Sequence, residues 1–122
     1  MKISEFLSNL ESVKINTDNV RYIEDKYQIE ISEEMKQVIS SIEEDVFFEE
    51  GCHIFSFEEV MNDSENLGAD FLDYKLIPLV DCYDNDFITY NFSDKSFTMF
   101  NIIDNCVFNS GRTFKELLEK RV

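Results

Sequence analysis

The sequence predicts an α+β fold: short N-terminal helices, a central and mainly antiparallel β-sheet of about four to six strands, and a C-terminal helix packed on the sheet. Two β-prone runs, 87–92 and 97–103, are separated by a polar break of hairpin length at 93–96. Apolar residues recur at helical spacing upstream of these runs. A capping box, Thr113–Glu116, begins a helix downstream of them.

The length and aromatic content of the chain are sufficient for one core. A chain of 122 residues with twelve Phe and five Tyr can bury a sizeable apolar interior. It carries no linker rich in Pro, Gly or Ser, and no internal repeat. We therefore predict a single domain over residues 1–122, with its core at about 20–120 and an amphipathic helix at 1–12.

Three helices are predicted before the first strand. The first occupies about residues 1–12, the second follows a cap at Asp18 or Asn19, and the third starts from Ser32 as N-cap. We expect the third helix to end at Glu43–Asp45. The apolar stripes of the three helices comprise Ile3, Phe6, Leu7, Leu10, Val20, Ile23, Tyr27, Met35, Val38, Ile39 and Ile42.

The next stretch predicts a strand pair and a fourth helix. Residues 46–48 and 52–57 are β-prone and are separated at 49–51, where Gly51 is compatible with either a turn or a bulge. Ser56–Glu59 is a capping box, so a short helix should follow and end within 62–68. Its interior residues are expected to be Phe57, Val60 and Met61.

The remaining strands surround the central hairpin. Pro78 cannot donate a ladder hydrogen bond, so the strand 76–80 either lies at a sheet edge or has Pro78 at a break in the pairing. The run 87–92 alternates between a fully apolar face and a partly apolar face, which predicts a half-buried strand. A turn at 104–105 should lead into a last strand at 106–108, and 110–112 should leave it.

Two further segments complete the sequence prediction. The connection 69–75 contains three large apolar side chains that are expected to pack, namely Phe71, Leu72 and Tyr74. The closing helix should bury Phe114, Leu117 and Leu118, and it places Lys120 and Arg121 at the negative end of its dipole.

The chain is strongly acidic, and the charge is unevenly distributed. The formal net charge is −15, and the segment 24–65 contains fourteen Asp or Glu and only two Lys. Such a charge disfavours direct contact with nucleic-acid phosphates or anionic lipid and favours a basic partner. An acidic surface that only maintains solubility is the common alternative.

The cysteines and the N-terminus predict a cytoplasmic protein. The three cysteines include no closely spaced pair, so free thiols in a reducing compartment fit better than a disulfide framework. The N-terminal stretch has no signal-peptide core, and no apolar run approaches the roughly 18 to 20 residues of a membrane span.

The sequence offers only weak candidates for chemistry. His53 is the only histidine, and we expect it to be a strand residue with a hydrogen bond. The residue types of a zinc site occur without the usual close pairs, and the adjacent Cys52 and His53 should point to opposite faces of a strand. That set is Cys52, His53, Cys82 and Cys106. We predict no catalytic residue, no metal site and no cofactor.

An acidic loop precedes the central hairpin. Asp81, Asp84 and Asp86 resemble the start of a calcium loop, but the glycine and the glutamate that such a loop requires are replaced by Thr89 and Lys95. A catalytic use of these carboxylates lacks an accompanying histidine, nucleophile or phosphate-binding glycine loop. A solvated loop, or a contact surface for a cationic partner, is the stronger interpretation.

Several short motifs follow one another in a defined order. An opening pair of helices is followed by a short helix after the first strands, a strand with an Ile-Pro step, an acidic turn with its strand, and a closing helix. The segments concerned are Ile23–Tyr27, Ile31–Met35, Phe57–Val60, Leu76–Leu79, Asp84–Phe92 and Ser110–Leu118. This order resembles the SUKH superfamily, which includes the fungal Smi/Knr cell-wall regulators.

This resemblance implies an α+β domain without catalytic residues. Many bacterial members of the superfamily are immunity proteins that bind and neutralise a cognate toxin, often a nuclease, inside the cell. The expected partner is thus a basic toxin domain, with no nucleic acid, membrane or small-molecule ligand. An intracellular scaffold or regulator of the Smi/Knr type is the alternative. The candidate partner-binding residues are Glu43, Glu44, Asp45, Glu49, Glu50, Asp81, Asp84 and Asp86.

Overall fold

The fold is α+β, as predicted, in a computed structural model that describes residues 1–66 and 70–121. The helices are α1 (Ile3–Leu10), α2 (Thr17–Tyr27), α3 (Glu33–Ser40), α4 (Phe57–Asn66) and α5 (Phe114–Glu119), with a 3₁₀ helix at Phe71–Tyr74. The strands are β1 (Val46–Phe47), β2 (His53–Ile54), β3 (Leu76–Asp81), β4 (Asp86–Asn91), β5 (Ser96–Asn101) and β6 (Cys106–Arg112).

The six strands form one antiparallel sheet in which sequence order equals spatial order, from β1 to β6. The predicted central hairpin is confirmed as β4–β5, with Tyr90 opposite Phe97. Strand β3 lies inside the sheet between β2 and β4, so it is not an edge strand. Its register shifts between Pro78 and Val80, which confirms the second alternative, a break in the pairing at the proline.

Both faces of the central hairpin are covered. On one face, Phe114 of α5 packs against Phe97 with ring centroids 5.6 Å apart, which confirms that the C-terminal helix packs on the sheet. On the other face, Phe71 of the 3₁₀ helix contacts Phe87 at 5.6 Å and Phe100 at 5.2 Å. The half-buried strand predicted at 87–92 is therefore wrong, because the 3₁₀ helix covers the second face.

The helix caps follow the sequence with one exception. Ser32, Ser56 and Thr113 each accept a hydrogen bond from the backbone N–H three residues later, as predicted. The cap of α2 is Asn16, whose side chain accepts from the N–H of Asn19 at 3.1 Å. The predicted caps Asp18 and Asn19 were wrong because the helix begins earlier, at Thr17.

Several element ends differ from the prediction, since β2 spans only His53–Ile54 of the predicted 52–57 and β5 ends at Asn101 rather than at 103. Helix α3 ends at Ser40 rather than at Glu43–Asp45, although Ile42 is still fully buried. Strand β6 continues through Arg112, with a register shift between the partners of Phe97 and Met99 on β5. The predicted exit at 110–112 is therefore part of the strand, where Gly111 has a φ of +70°.

Three smaller expectations have mixed outcomes. The residues 49–51 form a turn, in which the N–H of Gly51 donates to the carbonyl of Phe48 at 3.0 Å. Phe71 is fully buried, and Tyr74 packs on Phe100 with ring centroids 5.2 Å apart although it is 41% exposed, so both pack as predicted. Leu72 is 39% exposed. The predicted end of α4 and start of the following connection fall partly at 67–69, outside the described residues.

Candidate functional site

One end of the sheet, around β1 and β2, concentrates exposed carboxylates. Glu43 and Glu44 precede β1, and Glu49 follows it in the turn to β2. All three are exposed, and within the described part of the chain their side chains make no hydrogen bond or ion pair. We call these three residues the edge carboxylates. Because no basic neighbour neutralises them, they keep their charge available to a partner.

Asp45 and His53 form a polar link beside the edge carboxylates. His53 Nε2 lies 2.9 Å from Asp45 Oδ1, and the same oxygen accepts the N–H of Ser56 at 3.1 Å. The capping box of α4 adds Glu59, whose Oε1 lies 3.3 Å from Ser56 Oγ. The expected role of His53, a strand residue with a hydrogen bond, is confirmed. The link fixes β2 against the start of β1 and the N-terminus of α4.

Asp45, His53 and Glu59 are also of the types that ligate divalent metals. One donor atom from each lies within 4.8 Å of the others. The carboxylates of Asp45 and Glu59 are both engaged by Ser56, and Asp45 additionally holds His53. The arrangement therefore has a structural explanation in its own hydrogen bonds.

Three aromatic rings form a row across the same end of the sheet. Phe47 stacks on His53, with ring centroids 4.2 Å apart and planes inclined by 10°. On the β3 side, Tyr83 lies 6.4 Å from His53 with planes inclined by 15°. We call Phe47, His53 and Tyr83 the aromatic row. Phe47 is 62% exposed and Tyr83 60% exposed, which is unusual for large apolar rings.

The register of the sheet explains why this row forms. Phe47 pairs with His53, and His53 pairs with Asp81, so the side chains of Phe47, His53 and Asp81 project from one face. On the same face but farther along the sheet, Phe87 and Phe100 are covered by the 3₁₀ helix. The Phe47 end lies beyond that cover and stays exposed.

Asp81 supports Tyr83 and adds negative potential. The N–H of Tyr83 donates to Asp81 Oδ1 at 2.8 Å, which stabilises a backbone φ of +60° at a non-glycine residue. Desolvation raises the pKa of the Tyr83 hydroxyl, and the carboxylates of Asp81 and Asp45 raise it further. Two acidic stretches that are remote in sequence thus meet at this ring.

The other predicted contact carboxylates have partners inside the molecule. Asp84 accepts from Arg121 Nη1 at 2.9 Å, and Asp86 lies 3.6 Å from Arg121 Nη2. Asp86 also accepts from Asn101 at 2.8 Å. The acidic loop is thereby tied to the end of the C-terminal helix, where the sequence had assigned Arg121 only to the helix dipole.

Glu50 is likewise engaged in the fold. Its two carboxylate oxygens accept the N–H of Ile3 at 3.1 and 3.3 Å, at the N-terminus of α1. A negative side chain at this position favours the helix dipole. Of the eight predicted contact residues, the edge carboxylates are therefore the ones whose charges have no partner among the described residues.

The cysteines do not converge with His53. The thiols of Cys52 and Cys82 are buried and hydrogen-bonded to each other, which lowers the pKa of Cys52 and, together with burial, raises that of Cys82. His53 projects from the opposite face of β2, as expected from its position next to Cys52. Cys106 is exposed on β6, at the far edge of the sheet. The zinc set considered from sequence is therefore not assembled.

Two open grooves border the N-terminal helix. The larger, about 510 Å³, lies between α1 and α5 and includes Ile3, Glu11 and Lys115 in its lining. The smaller, about 310 Å³, is lined by residues that include Phe6, Val46 and Glu43, one of the edge carboxylates. The smaller groove adjoins the acidic end of the sheet, so a partner bound there can also bury surface in this groove.

Sequence reasoning did not select Phe47 and Tyr83, because most aromatic residues in a chain of this size are in the core. A signal was nevertheless present. Phe47 alternates with the more buried Val46 and Phe48, and period-2 alternation places it on the opposite face. Tyr83 lies within the acidic loop 81–86, a poor setting for a core residue.

Comparison with protein families, with curated proteins and with solved structures finds no match to this chain. Within the described ranges, every helix is too short or too polar to cross a membrane.

Proposed function

We propose that this chain is a non-enzymatic immunity protein that binds and neutralises a basic toxin domain, of the nuclease type, in the cytoplasm. The observation that carries the proposal is the set of edge carboxylates, exposed and unpaired among the described residues, in a chain of net charge −15. The resemblance to the SUKH superfamily, which we take as the family of this chain, supports the same function.

Charge complementarity supports a basic protein as the partner. A nuclease needs a positive surface to hold phosphates, and an acidic protein that covers this surface blocks the substrate without any bond being made or broken. Such complexes associate rapidly, and raising the ionic strength slows their association. Nucleic acid itself is disfavoured as a partner by the same negative potential.

The internal use of the acidic loop argues against catalysis by its carboxylates. Arg121 and Asn101 engage Asp84 and Asp86, so these carboxylates already act as structural groups. A general acid or base must instead be free to reach the proton that it transfers. The edge carboxylates have that freedom, but the hydroxyls of Ser40 and Ser41, which line a groove with Glu43, donate to backbone carbonyls of α3.

The proposal is tested by co-expression and by binding. The chain is expressed together with the toxin domain encoded by a neighbouring gene, and growth is measured with and without it. Protection is expected, with an affinity that falls as salt is raised from about 50 to about 300 mM because the contact is between opposite charges. Failure to protect against any adjacent toxin, or a salt-independent affinity, would contradict the proposal.

A charge-matched pair of variants localises the contact. In one variant, the edge carboxylates are all changed to Gln. In the control, three carboxylates that have basic neighbours are changed to Gln; these are Glu11, Glu33 and Glu119. Both variants lose three negative charges, so only a specific contact separates them. The first should lose affinity at least about tenfold, and the control should lose much less.

A pull-down that returns several endogenous partners and no toxin would favour the scaffold alternative.

A further inference from the structure

We propose that the aromatic row, with Asp45 and Asp81 beside it, is the site that receives an arginine side chain of the basic partner. This inference rests on the proposed function, because it names the group that the acidic end of the sheet recognises. It adds an element that the edge carboxylates lack, namely flat apolar faces at fixed positions.

The rings are held in place before any partner binds. His53 is only 12% exposed at its side chain and is fixed by Asp45 at Nε2 and by a T-shaped contact with Phe55, with ring centroids 5.1 Å apart. Phe47 stacks on this fixed ring. The backbone of Tyr83, from which its ring projects, is held by the hydrogen bond of its N–H to Asp81. When a partner group contacts the aromatic row, the rings therefore lose little conformational freedom, which favours affinity.

The outer rings are nevertheless open to a ligand. Phe47 and Tyr83 are about three-fifths exposed, and they flank His53 on its β1 and β3 sides. Exposed rings of this size usually take part in recognition when they stand together on an otherwise polar surface. Here the surrounding surface carries carboxylates, so the rings and the charges both favour a cationic ligand.

The chemistry favours a guanidinium group. The face of an aromatic ring attracts a cation, and a guanidinium stacks flat on such a face while its N–H groups pair with a nearby carboxylate. The pKa of the Tyr83 hydroxyl is raised by desolvation and then by Asp81 and Asp45, so both carboxylates act at this ring. An ammonium group lacks the planar surface needed for stacking and should bind less well.

The direct test is a titration followed by NMR of the aromatic side chains. The probes are two tripeptides with blocked ends, Gly-Arg-Gly and Gly-Lys-Gly. The arginine peptide is expected to shift the signals of Phe47, His53 and Tyr83 in a saturable manner and to bind more tightly than the lysine peptide. Equal affinity for the two peptides, or shifts that are absent from these rings, would overturn the inference.

Uncharged substitutions separate the aromatic row from bulk electrostatics. The double variant Phe47→Leu with Tyr83→Leu keeps the net charge and should weaken binding of the arginine peptide at least about fivefold. Tyr22 is 64% exposed on α2, so Tyr22→Leu is the matched control and should bind as the wild type does. Backbone spectra of both variants are recorded as a check that each is folded. An unchanged affinity in the double variant would overturn the inference.

The toxin complex distinguishes this inference from the function on which it rests. If the double variant still binds and protects while the variant of the edge carboxylates does not, the aromatic row is not the arginine site and the proposed function stands. If the wild-type chain neither binds nor protects, the proposed function fails, whatever the peptide titration shows. Loss of toxin affinity in the double variant, with retention in Tyr22→Leu, supports both.

Discussion

Glu34 shows how a single side chain can join two distant helices. It lies in the first turn of α3, and its Oε2 accepts the N–H groups of Phe114 at 3.0 Å and of Lys115 at 3.4 Å, at the start of α5. These N–H groups belong to the set that a helix leaves unpaired at its N-terminus. The carboxylate therefore acts as a second cap for α5, in addition to Thr113.

Replacing Glu34 by Ala should destabilise the fold. The variant loses an acceptor for two backbone donors, which is expected to cost about 1 kcal/mol of unfolding free energy. Urea denaturation measures the change. Glu33→Ala is the matched control, because Glu33 is in the same turn and only pairs with Lys36 at the surface, at 3.0 Å. An effect of Glu34→Ala no larger than that of the control would contradict the capping role.

The ionisation of Glu34 should make stability depend on pH. Desolvation raises the pKa of Glu34 above its ordinary value of 4.5, although the N–H groups of Phe114 and Lys115 act in the opposite direction. A carboxyl pKa that is higher in the folded state gives a contribution that is present below 4.5 and is lost as pH rises through the folded pKa. The free energy of unfolding of the wild type should therefore fall relative to Glu34→Gln between about pH 4 and pH 7. A relative rise over that range would show that the hydrogen bonds outweigh burial.

Most individual residues with a local role were predictable, the cap of α2 at Asn16 being the exception. Ser32, Ser56 and Thr113 act as caps in the structure because a cap depends on residues within one turn of it. The role of Glu34 was not predictable, since its partner Phe114 is 80 positions away. The same limit applies to the position of the Tyr83 ring beside His53, which is 30 positions away in the sequence.

At the scale of elements, β4 is joined to α3 by one buried hydroxyl. Tyr90 is fully buried, and its phenolic oxygen accepts the N–H of Ser32 at 3.0 Å. Ser32 is the N-cap of α3, so this bond fixes the entry of the helix on the central hairpin. A buried tyrosine usually finds such a partner for its hydroxyl.

Tyr90→Phe should therefore loosen the contact between α3 and the sheet. The change keeps the ring but leaves the N–H of Ser32 without its acceptor, at an expected cost of about 1–2 kcal/mol. Denaturation gives the free energy, and the amide signal of Ser32 reports the local change. Tyr22→Phe serves as the control, since Tyr22 is 64% exposed. If both substitutions were equally harmless, the bond would have no role in stability.

The elements themselves were largely predictable from sequence, but which element packs on each face of the sheet was not. Apolar periodicity located α1, the hairpin β4–β5 and α5, because each pattern is contained in a short stretch of sequence. The burial of both faces of β4 could not be predicted from sequence, because it depends on Phe71 packing against Phe87 on the second face. Pro78 left two alternatives open for the same reason, since the sequence does not reveal which strands flank β3.

At the scale of the whole molecule, the acidic charge divides into two groups. Some carboxylates are neutralised or hydrogen-bonded within the fold, among them Glu50, Asp84 and Asp86. The edge carboxylates have no such partner among the described residues, and in a chain of net charge −15 they add to the repulsion between like charges. If they are retained for binding, they should lower the free energy of unfolding of the unbound protein.

The charge-matched variants described above test this trade-off in the free protein. Changing the edge carboxylates to Gln should raise the unfolding free energy by about 0.5–1 kcal/mol at low ionic strength, because like-charge repulsion is removed. The control with Gln at Glu11, Glu33 and Glu119 removes carboxylates that have basic neighbours, so it should leave stability unchanged or slightly lower. In about 1 M salt, where the Debye length is about 3 Å, the gain should largely disappear. Equal changes in the two variants would mean that only net charge matters, and the acidic end of the sheet would then have no special electrostatic strain to release on binding.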